Sequence, residues 1–175
     1  MLKNEELGDR LIAILPRLRR FAYGLTGSMG EGDDLLQATC ERALSRAHQF
    51  DPDTQLEAWA YTIMKSVWID GLRKRREVAM DQELLESHPG GDAAAETESR
   101  IRLAEVRKLI AKLPEEQRVV LLLVSVEGMK YREAAAVLGC PIGTVMSRLS
   151  RARLALGAAL DGDRGGGARV IAFPK

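Results

Sequence analysis

Apolar residues along the chain recur at three- and four-residue steps, the periodicity of helices with one buried face. Leu7, Leu11, Leu15, Leu18, Ala22 and Leu25 form the first such stripe. Pro16 falls inside it, where it either kinks the helix or restarts it at a first turn. Gly24, Gly27 and Gly30 crowd the far end and predict a stop near Thr26. A second helix is predicted from about Asp33, with Leu36, Cys40, Ala43 and Ala47 on its buried face. The acids at its start suit a positive helix N-terminus. The run FDPDTQ, residues 50–55, reads as a loop. A third helix, roughly Leu56 to Arg76, turns Trp59, Ile63 and Val67 inward and ends in Arg73-Lys74-Arg75-Arg76.

The pattern resumes after a break. Ile101, Ala104, Leu109 and Leu113 predict a helix ending at Pro114. EEQRVVLLLVSVEG, 115–128, predicts a central apolar helix that Pro114 opens and Gly128 closes. A short helix comes next over Tyr131–Leu138, with Gly139 at its exit. Another is opened by Cys140-Pro141 and runs to about Leu160. In it Val145, Leu149, Ala152 and Leu156 keep a four-three-four spacing that points to the core. The remainder, DGDRGGGARVIAFPK, reads as a frayed tail.

Charge divides the chain further. Residues 1–78 carry twelve basic and twelve acidic side chains. Residues 79–99 carry six acids and no Lys or Arg, and include HPGGDAAAETES. Such a segment buries too little to offset its ordering entropy, so it reads as a flexible linker. Residues 100–160 are basic, with eleven basic and five acidic side chains. The expectation is an all-α chain of two small helical domains, 1–78 and 101–160, joined by a flexible acidic linker at 79–100 and ending in a tail at 161–175.

Composition excludes several classes. Hydrophobic residues make up 46% of the chain and aromatics 5%, which supports a core and favours helices over sheets. No apolar stretch reaches the roughly 18 residues a membrane helix needs, and MLKNEELGDR has no apolar signal core. The expectation is a cytoplasmic protein without membrane insertion. Cys40 and Cys140 stand far apart with no CxxC, which argues against a disulfide framework or a cysteine zinc site. They are expected to be inert buried thiols. Only His48 and His88 occur, with no HExxH, P-loop or G-x-S-x-G. Neither an enzyme nor a cofactor is expected.

The segment 130–156, KYREAAAVLGCPIGTVMSRLSRARLAL, fits a helix-turn-helix. An Ala-rich first helix permits close approach, and Gly139 can take the left-handed conformation of the turn. The outward face of the second helix then carries Thr144, Ser147, Arg148 and Arg151, flanked by Met146 and Ser150. In this motif such a face enters the major groove, where Arg reads guanine with two hydrogen bonds and Ser or Thr fixes register on phosphates. A plain amphipathic helix with solvated arginines would contain the same residue types. The coincidence of Gly turn, Pro start and core spacing favours DNA binding.

With this motif in hand, the chain resembles the extracytoplasmic-function (ECF) sigma factors of bacterial RNA polymerase over about residues 8–160. Four stretches carry the resemblance: DDLLQATCERAL (33–44), AWAYTIMKSVWIDGLRKRR (58–76), LPEEQRVVLLLVSVEGMKYREAAAVLG (113–139) and CPIGTVMSRLSRAR (140–153). The resemblance implies that the first domain binds core RNA polymerase through Asp34, Leu35, Gln37 and Glu41, the Asp-Leu-x-Gln pattern with an acid one turn on. A solvated acidic first turn would share that composition. It implies that the loop with Asp53, Thr54 and Gln55 captures a flipped base of the −10 element. Lys65, Arg73, Lys74, Arg75 and Arg76 would track the phosphates of the single strand, and Tyr61 and Trp68 would pack against bases. Core packing fits Trp68 equally well, and the basic run also suits a helix C-terminus. The second domain would read the double-stranded −35 element. An anti-sigma partner is implied as well, as is residence at the nucleoid when polymerase is bound.

The chain departs from the common pattern at Ala38, where many members have an acid, and at Cys40, where many have an aromatic. It also departs at Lys65-Ser66, where many have Arg-Asn, and at Met146, where many have Lys or Arg. A thymine methyl or neutral backbone is the expected neighbour of Met146. Two other functions fit parts of the sequence. One is a decoy or adaptor that binds an anti-sigma protein without starting transcription. The other is a stand-alone helix-turn-helix repressor, which leaves residues 33–76 without a task.

Overall fold

The computed structural model describes residues 4–81 and 98–162. Seven α-helices occur among them and no strand: α1 (Asn4–Thr26), α2 (Met29–Ser45), α3 (Leu56–Asp81), α4 (Glu98–Ala111), α5 (Glu115–Leu121), α6 (Tyr131–Leu138) and α7 (Ile142–Gly162). A 3-10 turn at Ala47–Gln49 comes after α2, and a π-helical turn at Leu122–Val126 continues α5. Most of the predicted linker lies outside the described residues. At its margins α3 continues to Asp81 and α4 begins at Glu98. The tail beyond 162 is likewise outside them. No helix among the described residues is long and apolar enough to cross a membrane.

Helix α1 runs unbroken through Pro16. Pro16 is exposed, and so is Ile12, whose carbonyl the ring leaves without an N–H partner. That carbonyl lies on the solvent side, where water can satisfy it. The opposite side buries Leu7, Leu11, Ile14, Leu18, Phe21 and Leu25. Helix α2 starts at Met29, four residues before the predicted start, because the Ser28 hydroxyl caps it by accepting from the Glu31 N–H. Its buried residues are Gly32, Leu35, Thr39 and Ala43. The predicted face, Leu36, Cys40, Ala43 and Ala47, is corrected by roughly one residue: Leu36 and Cys40 are half-buried. Thr39 enters the core because its hydroxyl donates to the Leu35 carbonyl at 2.7 Å, which leaves no unmet polar group.

The predicted 115–128 helix divides. After Leu121 the spacing widens, and the Glu127 N–H donates to Leu122 O at 2.9 Å. A π turn of this kind adds a residue to the helix and re-aims the side chains beyond it. Here the turn leads into Glu127, a buried carboxylate. Gly128, at φ 72°, then turns the chain away.

The two helical halves, α1–α3 and α4–α7, pack on one another, with α3 against α6 and α1 against α4, α5 and the π turn. One apolar cluster runs through both halves, and a buried polar cluster also joins them. The Glu127 carboxylate accepts two bonds from Arg20 at 2.9 Å each, one from Tyr61 at 2.7 Å and a longer one from Arg17 at 3.4 Å. All three donors stand on α1 or α3.

Candidate nucleic-acid and polymerase interfaces

The helix-turn-helix is formed by α6 and α7. Gly139 takes φ 64° and ψ 37° between them, the left-handed conformation that glycine adopts without a Cβ penalty. The Glu133 carboxylate accepts from the Lys130 N–H at 2.8 Å and fixes the start of α6. Val145, Leu149 and Ala152 are buried, while Leu156 is half-buried. The inner face of α7 therefore keeps the predicted spacing.

The predicted reading face is not uniformly free. Ser147 is exposed, with its hydroxyl donating to Thr144 O at 3.1 Å, and Arg151 is exposed. Thr144 is half-buried. The Arg148 side chain is only 21% exposed and pairs with Glu116 at 2.6 Å. Met146 is 53% exposed and Ile142 40%, so one flank of α7 offers apolar surface to a partner.

The 50–55 loop is built around Asp51. Its carboxylate accepts from the Asp53 N–H at 3.0 Å, and its carbonyl accepts the Thr54 hydroxyl at 2.7 Å. Such a turn is the ordinary structural use of Asp. It leaves Asp53, Thr54 and Gln55 exposed at the mouth of α3.

Along α3 several of the residues expected to meet the strand are covered by other parts of the chain. Trp59, placed inward, is half-buried against Phe50, ring centres 5.1 Å apart. Trp68, for which base contact and core packing stood equal, is only 3% exposed. It lies beneath the Arg118 guanidinium, 5.3 Å from the ring centre. Tyr61, expected to face bases, is fully buried between Phe21 and Glu127. The Lys65 ammonium donates to Val137 O at 2.8 Å, and burial lowers its pKa. The reason is common to Tyr61, Lys65 and Trp68: this side of α3 is covered by the C-terminal half, which periodicity within one helix does not reveal. Arg73 and Lys74 are exposed. Arg75 pairs with Glu31 at 3.0 Å, and Arg76 pairs with Glu115.

On α2, Asp34, Gln37 and Glu41 share the outer face, with the Gln37 amide donating to Glu41 at 3.0 Å. Leu35 is buried and anchors that face from within. Asp33 was not singled out by the sequence, yet it ties α2 to α1. Arg19 donates to both its oxygens at 2.9 and 3.0 Å, and the Tyr23 hydroxyl donates at 2.8 Å. The Arg19 and Tyr23 hydrogen bonds hold its carboxyl below the usual range. Cys40 and Cys140 are free and half-buried rather than buried, and burial raises the Cys40 thiol. No metal-ligating cluster occurs among the described residues.

Comparison with known proteins agrees with this geometry. Residues 12–78 match the Sigma-70 region 2 family and residues 103–156 match Sigma-70, region 4. The chain is 40% identical over 162 residues to the ECF RNA polymerase sigma factor EcfG of Rhodopseudomonas palustris (strain TIE-1), covering 90% of this chain and 86% of that protein. Among solved structures it is similar to the sigma factor RpoE in complex with the anti-sigma factor NepR from Bartonella quintana. That match has 33% identity and a TM-score of 0.75, over 90% of this chain and 98% of that one. It is also similar to CnrH in complex with the cytosolic domain of CnrY, at 29% identity and a TM-score of 0.70, over 92% and 91% of the two chains. Two helical modules in this order, with a glycine-turned helix-turn-helix in the second and a relative of this identity and coverage, place the chain in the ECF sigma factor family of RNA polymerase.

Proposed function

We propose that this chain binds core RNA polymerase and directs it to promoters by reading a −35 and a −10 element, and that an anti-sigma protein restrains it. The observation that carries the reading is the α6–Gly139–α7 unit, whose buried spine of Val145, Leu149 and Ala152 turns Ser147 and Arg151 outward. In the domain assignment, residues 1–78 bind polymerase and the −10 strand, 79–100 link, 101–160 bind the −35 duplex, and 161–175 form a tail. Arg151 and Arg148 read base edges while Thr144 and Ser147 hold phosphates. Asp34, Gln37 and Glu41 meet a basic surface of the polymerase through charge-assisted bonds, on a face set by Leu35.

The exposed Asp53, Thr54 and Gln55 supply edge hydrogen bonds to an unstacked base, and Lys65, Trp68, Arg73, Lys74, Arg75 and Arg76 track the strand. Each domain alone grips DNA weakly. Attachment of both to one polymerase raises the effective concentration of the second contact. The chain's own part is recognition, with bond chemistry left to the polymerase, and its place is the cytoplasm, at the nucleoid when polymerase is bound. For the restraining protein, an open apolar groove between α1 and α4 is available. It is lined by Leu15, Leu36, Leu103, Val106 and Ile110, with Arg19 and Arg107 among its walls. An amphipathic helix with an acidic edge suits it.

The test is transcription in vitro with purified core polymerase on a genomic promoter library. Initiation from a sequence-defined subset of promoters is expected. No initiation on any template, together with no retention of the chain by polymerase, would refute the reading.

A further inference from the structure

The loop that leads into α3 is framed by an aromatic pair and a cation. The Phe50 N–H donates to Ala47 O at 3.1 Å, and the Trp59 N–H donates to Gln55 O at 3.2 Å, so backbone bonds hold both ends of residues 50–55. The Phe50 ring is buried and leans on Trp59. Arg10, near the start of α1, lies over the same ring, its guanidinium carbon 5.3 Å from the ring centre. A guanidinium stacked on an aromatic face keeps its N–H edge available to other acceptors. Among the described residues no hydrogen bond or ion pair engages the Arg10 N–H groups, although the residue is half-buried.

The role proposed for this loop calls for such a group. Asp51 and Asp53 are both exposed on it. A base that leaves its stack brings a phosphate on either side, and carboxylates close by repel them. Asp53, Thr54 and Gln55 can satisfy a base edge but cannot offset that charge. The basic run at Arg73–Arg76 is too remote. At about 1.5 Å of rise per residue, Arg73 stands roughly 25 Å along α3 from Leu56, about three screening lengths at physiological salt. Lys65 is nearer, but its ammonium donates to Val137 O. Arg17, two turns further along α1, is taken up by Glu57 and Glu127. Arg10 combines a place against the loop with an N–H edge that has no competing carboxylate.

We propose that Arg10 is a nucleic-acid contact, its guanidinium laid on the Phe50 ring and its N–H edge binding a phosphate next to the base that the 50–55 loop captures. The proposal rests on the −10 reading of that loop. Phe50 and Trp59 are positioning residues: they fix the plane of the guanidinium before the strand arrives, which lowers the cost of ordering it on binding. A planar fork that donates two parallel bonds matches a phosphate in a way that a point charge does not. The contact carries no sequence information itself. It sets the register, so that Asp53, Thr54 and Gln55 meet one nucleotide rather than its neighbour.

The experiment compares the full chain with Arg10→Gln and Arg10→Lys, each assembled with core polymerase. The probe is a single-stranded oligonucleotide carrying the non-template −10 strand of a promoter from which the parent initiates. A set of the same strand has one phosphate at a time replaced by an uncharged methylphosphonate. The parent is expected to lose about tenfold in affinity at one methylphosphonate position beside the captured base, the size of one charge-assisted contact. Arg10→Gln is expected to lose as much on the unmodified strand, to be indifferent to the modification at that position, and to show a salt slope shallower by about 0.7. Arg10→Lys is expected to fall between the two. Parent affinity and slope in Arg10→Gln would overturn the contact. A loss that leaves the parent's methylphosphonate sensitivity in place would overturn it too, since a mere brace of the loop weakens every strand alike. Both of those results leave the sigma reading intact. A parent holoenzyme that initiates on no template would overturn the sigma reading and the contact with it.

Discussion

Gly32 on α2 lies so close to Tyr23 on α1 that a Cβ placed on it would stand 2.2 Å from the ring's Cδ1 and 3.2 Å from the Tyr23 backbone nitrogen. The ring could swing away, but the backbone could not. The two helices are therefore held at a spacing that only glycine allows. Gly32→Ala is expected to lower stability by about 1–3 kcal/mol, the cost of overpacking. It should also release the Tyr23–Asp33 bond. Urea unfolding measures the first effect. Retention by core polymerase measures whether the displaced α2 still presents Asp34, Gln37 and Glu41.

The same junction makes a pH prediction. The Asp33 carboxyl is held below its ordinary range by Arg19 and then by Tyr23. A carboxylate with a depressed folded-state pKa stabilises the fold above its unfolded pKa, and the contribution fades as pH falls through the folded value. Asp33→Asn should therefore be less stable than the parent at pH 7, and the gap should close below about pH 4. Both Asp33 and Arg19 face solvent, so the effect is modest and screened by salt. Thermal unfolding of both proteins at pH 7 and at pH 3, in low and high salt, checks the sign.

Much of this architecture was legible because helices announce themselves locally. The stripe of α1, the α6 boundaries and the inner face of α7 come from periodicity plus Gly139 and Pro141. Errors arose where another element decides. Pro16 is tolerated because its side of α1 is solvated. Thr39 is buried because its hydroxyl finds a carbonyl within its own helix. Tyr61, Lys65 and Trp68 face the C-terminal half, a relation between residues far apart in the chain. Glu127 gave no signal at all, being a lone acid after an apolar run whose π turn is invisible to a count of 3.6. The presence of acids beside an Asp-Leu-x-Gln pattern pointed to α2, yet Asp33 itself proved to brace α1.

Arg148 and Arg151 differ in their surroundings, and so should their variants. Arg151 is exposed and can enter a groove directly, whereas Arg148 must first leave Glu116. Arg151→Ala is expected to weaken promoter binding by about 1–3 kcal/mol at one base position and to relax the preference there. Equal weakening on every sequence would instead make Arg151 a phosphate contact, with a shallower salt slope. Glu116→Gln should tighten promoter binding, because Arg148 no longer has a competing carboxylate. The measurement is holoenzyme binding to a set of −35 variants at two salt concentrations. A Glu116→Gln chain with unaltered affinity would mean that the ion pair is not broken on DNA.

Gly139 isolates the backbone contribution to the same unit. A Cβ at this position would meet nothing within 4 Å, so an added methyl costs no packing. Its φ of 64° remains a conformation that an L side chain adopts at a penalty of roughly 1–2 kcal/mol. Gly139→Ala should therefore reduce stability by about that amount, and Gly139→Asn by less, since Asn tolerates the left-handed region better. The turn also sets the angle at which α7 leaves α6. If the alanine variant relieves its strain by shifting α7 rather than by tolerating the φ, promoter affinity will fall further than stability does. Comparing the unfolding free energy with −35 affinity across Gly, Asn and Ala separates these cases: parallel changes mean a rigid turn, and a disproportionate loss of affinity means that the recognition helix has moved.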